Sequence, residues 1–182
     1  GLSLDEIGIS LINIGSTGFE NVANIFHKDR IQKNCAILTD LDKSIVTLPA
    51  NPKDDEDYQK HCRASEKNGE ERKIRLTDFC EGNDFLKPVY SKHTFEVDFL
   101  MKGNSYEFVQ CLNKIYSRES DIEKAKTKLE DTTVGVAGVE VLRIADKLGK
   151  GWLALLVAEQ VSYNTYIPIY ILKAIAFASA HI

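Results

Sequence analysis

The chain has 182 residues, 43% of them apolar, and a formal charge of −4. That is enough apolar material for a core in one domain, or in a compact domain with a helical annex, and it excludes a disordered chain. The acidic balance excludes a protein that coats nucleic acid through bulk positive charge, while a metal-loaded acidic site can still act on phosphodiesters. No run of about 18 apolar residues exists, and the most apolar tail, 166–182, is interrupted by Pro168, Lys173 and His181, so neither a membrane span nor a membrane partner is expected. Gly1-Leu2-Ser3 lacks a basic and apolar leader and an initiating Met, and the start reads as a cut end. Cys35, Cys62, Cys80 and Cys111 form no C-x-x-C pair, and Cys35 lies inside an apolar run, so reduced thiols and a cytoplasmic setting are expected.

In chain order, Ile7 to Ile14 is β-branched and apolar and ends on Gly15-Ser16-Thr17-Gly18, a glycine turn. Phe19, Val22, Ala23, Ile25 and Phe26 then recur at helical spacing, with Ser16 or Thr17 as cap and an end near His27. Cys35 to Leu38 is a short continuous apolar run, the pattern of a strand buried in a parallel sheet. Strand, helix and strand make a βαβ unit whose strands end at one edge, where ligands of such sheets bind. The amides of Gly15, Ser16 and Gly18 are therefore expected near that edge, as candidates to face a phosphate. Asp40 and Asp42 follow the strand; in extended chain they point the same way, and a hard cation such as Mg²⁺ would relieve their repulsion. The alternative for this motif is a solvated turn.

Residues 51–86 read as a solvated helical insertion, with the runs 54–57 and 70–73 as water-facing charge and Arg72, Lys73 and Arg75 within reach of a nucleic-acid backbone. Pro88 to Ser91 is a third short strand. In Thr94-Phe95-Glu96-Val97-Asp98, apolar residues alternate with two further carboxylates, either at a strand end or in a helix start capped by Thr94. From Ser105 onward the pattern is helical, with Trp152 to Ala158 expected to be deeply packed. Lys150 stands between Gly149 and Gly151 at a helix entrance, placed either to offset charge developing on a phosphate or simply to complement the end of the preceding helix.

Four pieces occur in order: Ile12-Asn13-Ile14-Gly15 with Gly18-Phe19, Ile37-Leu38-Thr39-Asp40-Leu41-Asp42, Thr94 to Asp98, and Gly149-Lys150-Gly151-Trp152-Leu153-Ala154. With Ile167 to Ile171 and Ala174 to Phe177, the set resembles the C-terminal Toprim nuclease region of the overcoming-lysogenization-defect (OLD) family of ATP-dependent endonucleases, over nearly the whole chain. The resemblance implies an α/β Toprim fold, a small parallel sheet with flanking helices. It divides the chain into a core at 1–102, carrying the insertion, and a helical region at 103–182. It implies a two-metal site using Mg²⁺ or Mn²⁺ that hydrolyses DNA, with Asp40, Asp42 and either Glu96 or Asp98 as metal ligands and Lys150 at the scissile phosphate. It further implies an N-terminal ABC-type ATPase domain in the same polypeptide, where ATP would bind, and it places anti-phage Gabija nuclease subunits among the relatives; a homo-oligomer is compatible with it. One part departs from the pattern: no Val-Glu-Gly strand-turn precedes Ile7, and a piece lacking that glutamate is expected to bind metal weakly or not at all and to cleave nothing.

Two rivals remain. Asp40-Leu41-Asp42-Lys43-Ser44 mimics the nucleophile loop of a haloacid-dehalogenase-like phosphatase, with Asp40 as nucleophile, but that chemistry needs a later strand ending in an acidic pair and none is predicted after Gly103. The other rival is a non-catalytic interaction module whose acidic positions are surface.

Overall fold

A computed structural model describes residues 3–15 and 18–180. The chain packs into two compact units that interleave in sequence: a strand unit (1–42, 64–92 and 169–182) and a helical unit (43–63 and 93–168). Among the described residues no helix is long and apolar enough to cross a membrane.

In the strand unit, β1 (Cys35–Asp40) and β2 (Leu86–Ser91) form a two-stranded parallel sheet, in register from Cys35 opposite Leu86 to Asp40 opposite Ser91. A parallel pair cannot be closed by a tight turn and needs a long crossover. Here the crossover contains α2 (Asp57–Cys80), which belongs to the strand unit from Ala64 onward. The charged stretch expected as an insertion is thus the helix of the βαβ unit itself. Its composition hides a buried stripe at Gly69, Leu76 and Cys80. Leu76 is fully buried beside Ile37, Leu86 and Ala23, an arrangement that stabilises the unit by roughly 2 kcal/mol for this one side chain. Tyr90, on β2, ties the same helix down by donating its hydroxyl to the Lys73 carbonyl at 3.2 Å. From the far end of the chain, α9 (Ile169–Ala178) returns to the sheet: Asn34 Nδ2 donates to the Phe177 carbonyl at 2.7 Å, and the Lys87 ammonium lies 5.3 Å from the Phe177 ring centre.

The strand expected over Ile7 to Ile14 does not form. Residues 4–8 make a turn, 9–14 are irregular, and Leu11 is 81% exposed. A β-branched run becomes a strand only where a neighbouring strand supplies a ladder and a face to pack on. Helix α1 (Phe19–Ala23) continues as a 3₁₀ turn through Phe26 and stops at His27, as the spacing predicts.

The helical unit holds the larger core. Its helices are α3 (Phe95–Met101), α4 (Ser105–Val109), α5 (Leu112–Ile115), α6 (Glu119–Leu129), α7 (Val134–Leu148) and α8 (Lys150–Ala158). Val97, Leu112, Leu129, Val141, Ile144 and Leu153 are essentially excluded from solvent there. Small residues on α7 let its neighbours approach: a Cβ at Gly138 would stand 3.3 Å from Val97 Cγ1. Deep packing of all of 152–158 is not found. Leu153, Leu156 and Val157 are buried, but Trp152 and Leu155 are 58% and 60% exposed, because a helix with one covered face turns its remaining residues outward whatever their polarity.

Candidate functional site

Asp40 closes β1 directly opposite Ser91, the last residue of β2, so both stand at the carboxyl ends of parallel strands. The Ser91 hydroxyl donates to Asp40 Oδ1 at 3.2 Å, and the Leu41 amide extends the ladder by one rung to the Ser91 carbonyl at 3.1 Å. Extended geometry then stops. Asp42 has φ +49°, the left-handed region that aspartate tolerates better than most residues. The alternation expected to aim Asp40 and Asp42 the same way therefore does not carry through the turn.

The cation that this acidic turn requires is supplied by α2. On a helix, residues three and four apart share a face, and positions 69, 72, 76 and 80 form one stripe. At Gly69 the helix backbone lies so close to the turn that a Cβ would stand 2.0 Å from the Leu41 carbonyl oxygen; only glycine fits there. One turn further on, Arg72 Nη2 donates to Asp42 Oδ2 at 2.9 Å and also to the Asp40 carbonyl. The Arg72 side chain is 12% exposed and that of Asp42 27%, so water screens the pair only in part. A charge-assisted hydrogen bond in such a place contributes about 1.5–3 kcal/mol. Arg72 Nε, buried without an acceptor, offsets much of it, since an unsatisfied buried donor costs about 1–3 kcal/mol. A shallow groove of about 270 Å³ runs beside the arginine, lined by Asn68, Glu71 and Arg75.

The other carboxylates belong to the helical unit and are held differently. The stretch left open between strand end and helix start is a helix start: Thr94 is the N-cap residue in extended conformation, and Glu96 and Asp98 occupy the first turn of α3, where the helix dipole favours negative charge. Thr94 makes no capping bond with its side chain, and its hydroxyl is buried without a partner. Asp98 Oδ2 reaches back instead to accept the His93 amide at 3.2 Å. His93, itself buried, holds the Lys43 carbonyl 2.7 Å from its Nδ1. Lys150 is the first residue of α8, beyond the break at Gly149 (φ +85°), and its ammonium lies 3.8 Å from Glu96 Oε2, with the lysine side chain 57% exposed and the glutamate 14%.

Gly15 turns with φ +65°, and its amide donates to Asn13 Oδ1 at 2.9 Å; Ser16, the central member of the expected phosphate-facing turn, lies outside the described residues, as does Thr17. Among the described residues 7–14 form no strand, so the βαβ argument that placed Gly15 and Gly18 near the edge that Asp40 occupies does not apply. The cysteines are free, and burial pushes the Cys35 and Cys111 thiols up and that of Cys80 to about 11, so these three stay protonated at neutral pH.

The oxygen donors at Asp40 and Asp42 have the chemistry a hard divalent ion prefers. As the side chains stand they do not fit one: Asp42 is taken by Arg72, and among the described residues neither unit gathers three or more His, Cys, Asp or Glu side chains for a metal. Sequence reasoning placed Arg72 only as a nucleic-acid contact and overlooked Gly69, Ser91 and His93. Of these, Gly69 alone left a signal, an isolated glycine inside a helical pattern, which usually has a packing reason.

No protein-family profile matches the chain, and no curated protein matches it in sequence. Its structure is similar to the C-terminal region of the Burkholderia pseudomallei OLD protein, with a TM-score of 0.65 over 98% of this chain and 85% of that one, at 19% identity. The fold is therefore shared, and the mixed α/β arrangement with its small parallel sheet is consistent with a Toprim-like architecture.

Proposed function

We propose that the chain serves as the nuclease part of an OLD-type endonuclease, acting on DNA phosphodiesters with Mg²⁺ or Mn²⁺ and working in a polypeptide that also carries an ABC-type ATPase domain. The whole-chain likeness to the OLD C-terminal region carries the reading. Two features of this chain support it. Asp40 stands at the carboxyl end of a parallel strand, the edge at which such sheets bind their ligands. Lys150 holds a solvent-accessible ammonium at a helix start, a positive charge available to a phosphate on which negative charge develops. The reading assigns Asp40, Asp42 and either Glu96 or Asp98 to metal, Lys150 to the phosphate, and the Gly15-Ser16 and Gly18 amides to the DNA backbone.

Asp40→Ala and Asp42→Ala in the full-length protein are expected to abolish nicking of supercoiled plasmid in Mn²⁺ while circular dichroism stays unchanged; undiminished cleavage rejects the assignment. The second reading, a non-catalytic module, draws on the Arg72–Asp42 pair, which leaves the acidic turn satisfied without an ion. A melting temperature indifferent to Mg²⁺ and Mn²⁺, together with no cleavage by the full-length protein, would favour it.

A further inference from the structure

We propose that Lys128, Arg143 and Lys147 form a row of cations on the helical unit that takes the phosphate backbone of duplex DNA and leads it to Lys150. The inference rests on the proposed reading of Lys150 as the lysine at the scissile phosphate.

The row is built over a buried carboxylate. Glu140, on α7, is almost fully buried, and two cations cover it: Lys128 Nζ, from α6, lies 3.4 Å from its Oε2, and Arg143 donates through Nε to Oε2 at 3.0 Å and through Nη2 to Oε1. Both cationic side chains are about half exposed, so they present their charge to solvent. Arg143 Nη2 also donates to the Tyr116 hydroxyl at 2.8 Å, and the Lys147 ammonium lies 4.2 Å from the centre of the same ring. Glu140, Arg143 and Lys147 follow at steps of three and four residues and so share one face of α7. Among the described residues no carboxylate but Glu140 pairs with any of the three cations, and three cations over one carboxylate leave two positive charges in surplus. Like charges four apart on a helix destabilise it, so the Arg143–Lys147 pair costs stability until an anion lies over it. Arg143 Nη1 makes no hydrogen bond among the described residues, and the Tyr116 hydroxyl, which accepts from Arg143, keeps its own proton to donate; both can meet phosphate oxygens. Lys128 and Arg143 are joined through Glu140, and Arg143 and Lys147 through Tyr116, an extended arrangement that suits a chain of phosphates rather than a single anion. Lys150 stands three residues beyond Lys147, past the break at Gly149, so their Cα atoms are within about 11 Å of each other.

The test is fluorescence anisotropy of a labelled DNA duplex titrated with the chain in EDTA, where neither metal nor cleavage enters, over a range of salt concentrations. Wild type is expected to bind, with affinity falling steeply as salt rises. Lys147→Ala is expected to weaken binding severalfold at low salt and to lower the slope of log affinity against log salt by about 1, and Lys128→Ala/Lys147→Ala by about 2. Arg143 still compensates Glu140 in both variants, so both are expected to fold, and circular dichroism checks this. Lys67→Ala, which removes an exposed lysine of α2 outside the row, is expected to leave affinity and slope unchanged. Equal effects of Lys67→Ala and Lys147→Ala overturn the inference, as does a wild type that binds no duplex. A melting temperature raised by inorganic phosphate without duplex binding overturns it in favour of a small-anion site. The nuclease reading is decided separately by the plasmid assay: cleavage that needs Asp40 beside an inert row sinks the row alone, and a row that binds DNA in a full-length protein that cleaves none sinks the nuclease reading alone.

Discussion

Asp40 and Asp42 sit at the end of a strand, where the backbone offers no field of its own, and Asp42 is met by a side chain 30 residues away on another element. Glu96 and Asp98 sit in the first turn of a helix, whose free amide ends favour carboxylates, and Asp98 accepts the amide of His93, five residues back. The two acidic sets look alike in the sequence, a pair of carboxylates one residue apart, but the first takes its counter-charge from a side chain on another element, while the second has the helix dipole in addition to the long pair of Glu96 with Lys150. Disturbing the approach of α2 should therefore loosen the strand-end pair while leaving the helix-start pair untouched, and local changes at α3 should do the reverse.

The sharpest way to break this contrast is Gly69→Ala. In an ordinary helix interior the change gains up to about 1 kcal/mol. Here the new methyl meets the Leu41 carbonyl, and we expect a net loss of about 1–3 kcal/mol, measured by urea denaturation. A stabilised variant would show that the helix does not approach the turn this closely.

Next comes acid sensitivity in the helical unit, where Glu140 on α7 is almost fully buried. Burial pushes its pKa up, but the hydrogen bond and charge of Arg143 and the nearby Lys128 outweigh burial and hold it below the usual glutamate range. A carboxylate lowered in the folded state contributes stability that is present above its unfolded pKa of about 4.3 and is lost as pH falls through the folded value. Glu140→Gln is expected to flatten stability against pH below about 4.3; an unchanged acid limb would show that the cluster carries no linkage.

A smaller effect is expected for Asp98→Ala, about 1 kcal/mol, because it removes a bond to one amide ahead of α3; faster hydrogen exchange at His93 would identify the amide released. Smallest of all is Lys150→Ala. Its pair with Glu96 is long and the lysine largely exposed, so we expect a stability change within about 0.5 kcal/mol even where cleavage by the full-length protein is lost.

What the sequence made legible was local. Cys35 to Leu38 and Pro88 to Ser91 are apolar runs too short for helices, and both lie in strands. Thr94 marks the start of α3, and Gly149 separates α7 from α8 ahead of Lys150. The carboxylates Asp40, Asp42, Glu96 and Asp98 accordingly lie at element ends, as their positions suggested. What stayed hidden was non-local. Ile7 to Ile14 has the composition of a strand without a neighbour to pair with, and the charged surface of α2 masks both its crossover role and its buried stripe. In 152–158, where every residue is apolar, periodicity cannot say which face is covered. The Arg72 contact with Asp42 could not be read at all, since in a helix rich in Lys, Arg and Glu nothing local distinguishes an arginine that turns inward.

The claim that α2 supplies the counter-charge of the acidic turn is tested most directly by a double-mutant cycle, with wild type, Arg72→Gln, Asp42→Asn and the double variant unfolded by urea in EDTA. A coupling of about 1–3 kcal/mol between the two positions is predicted, from a charge-assisted hydrogen bond only partly open to water. Losses that add to within about 0.3 kcal/mol would contradict it.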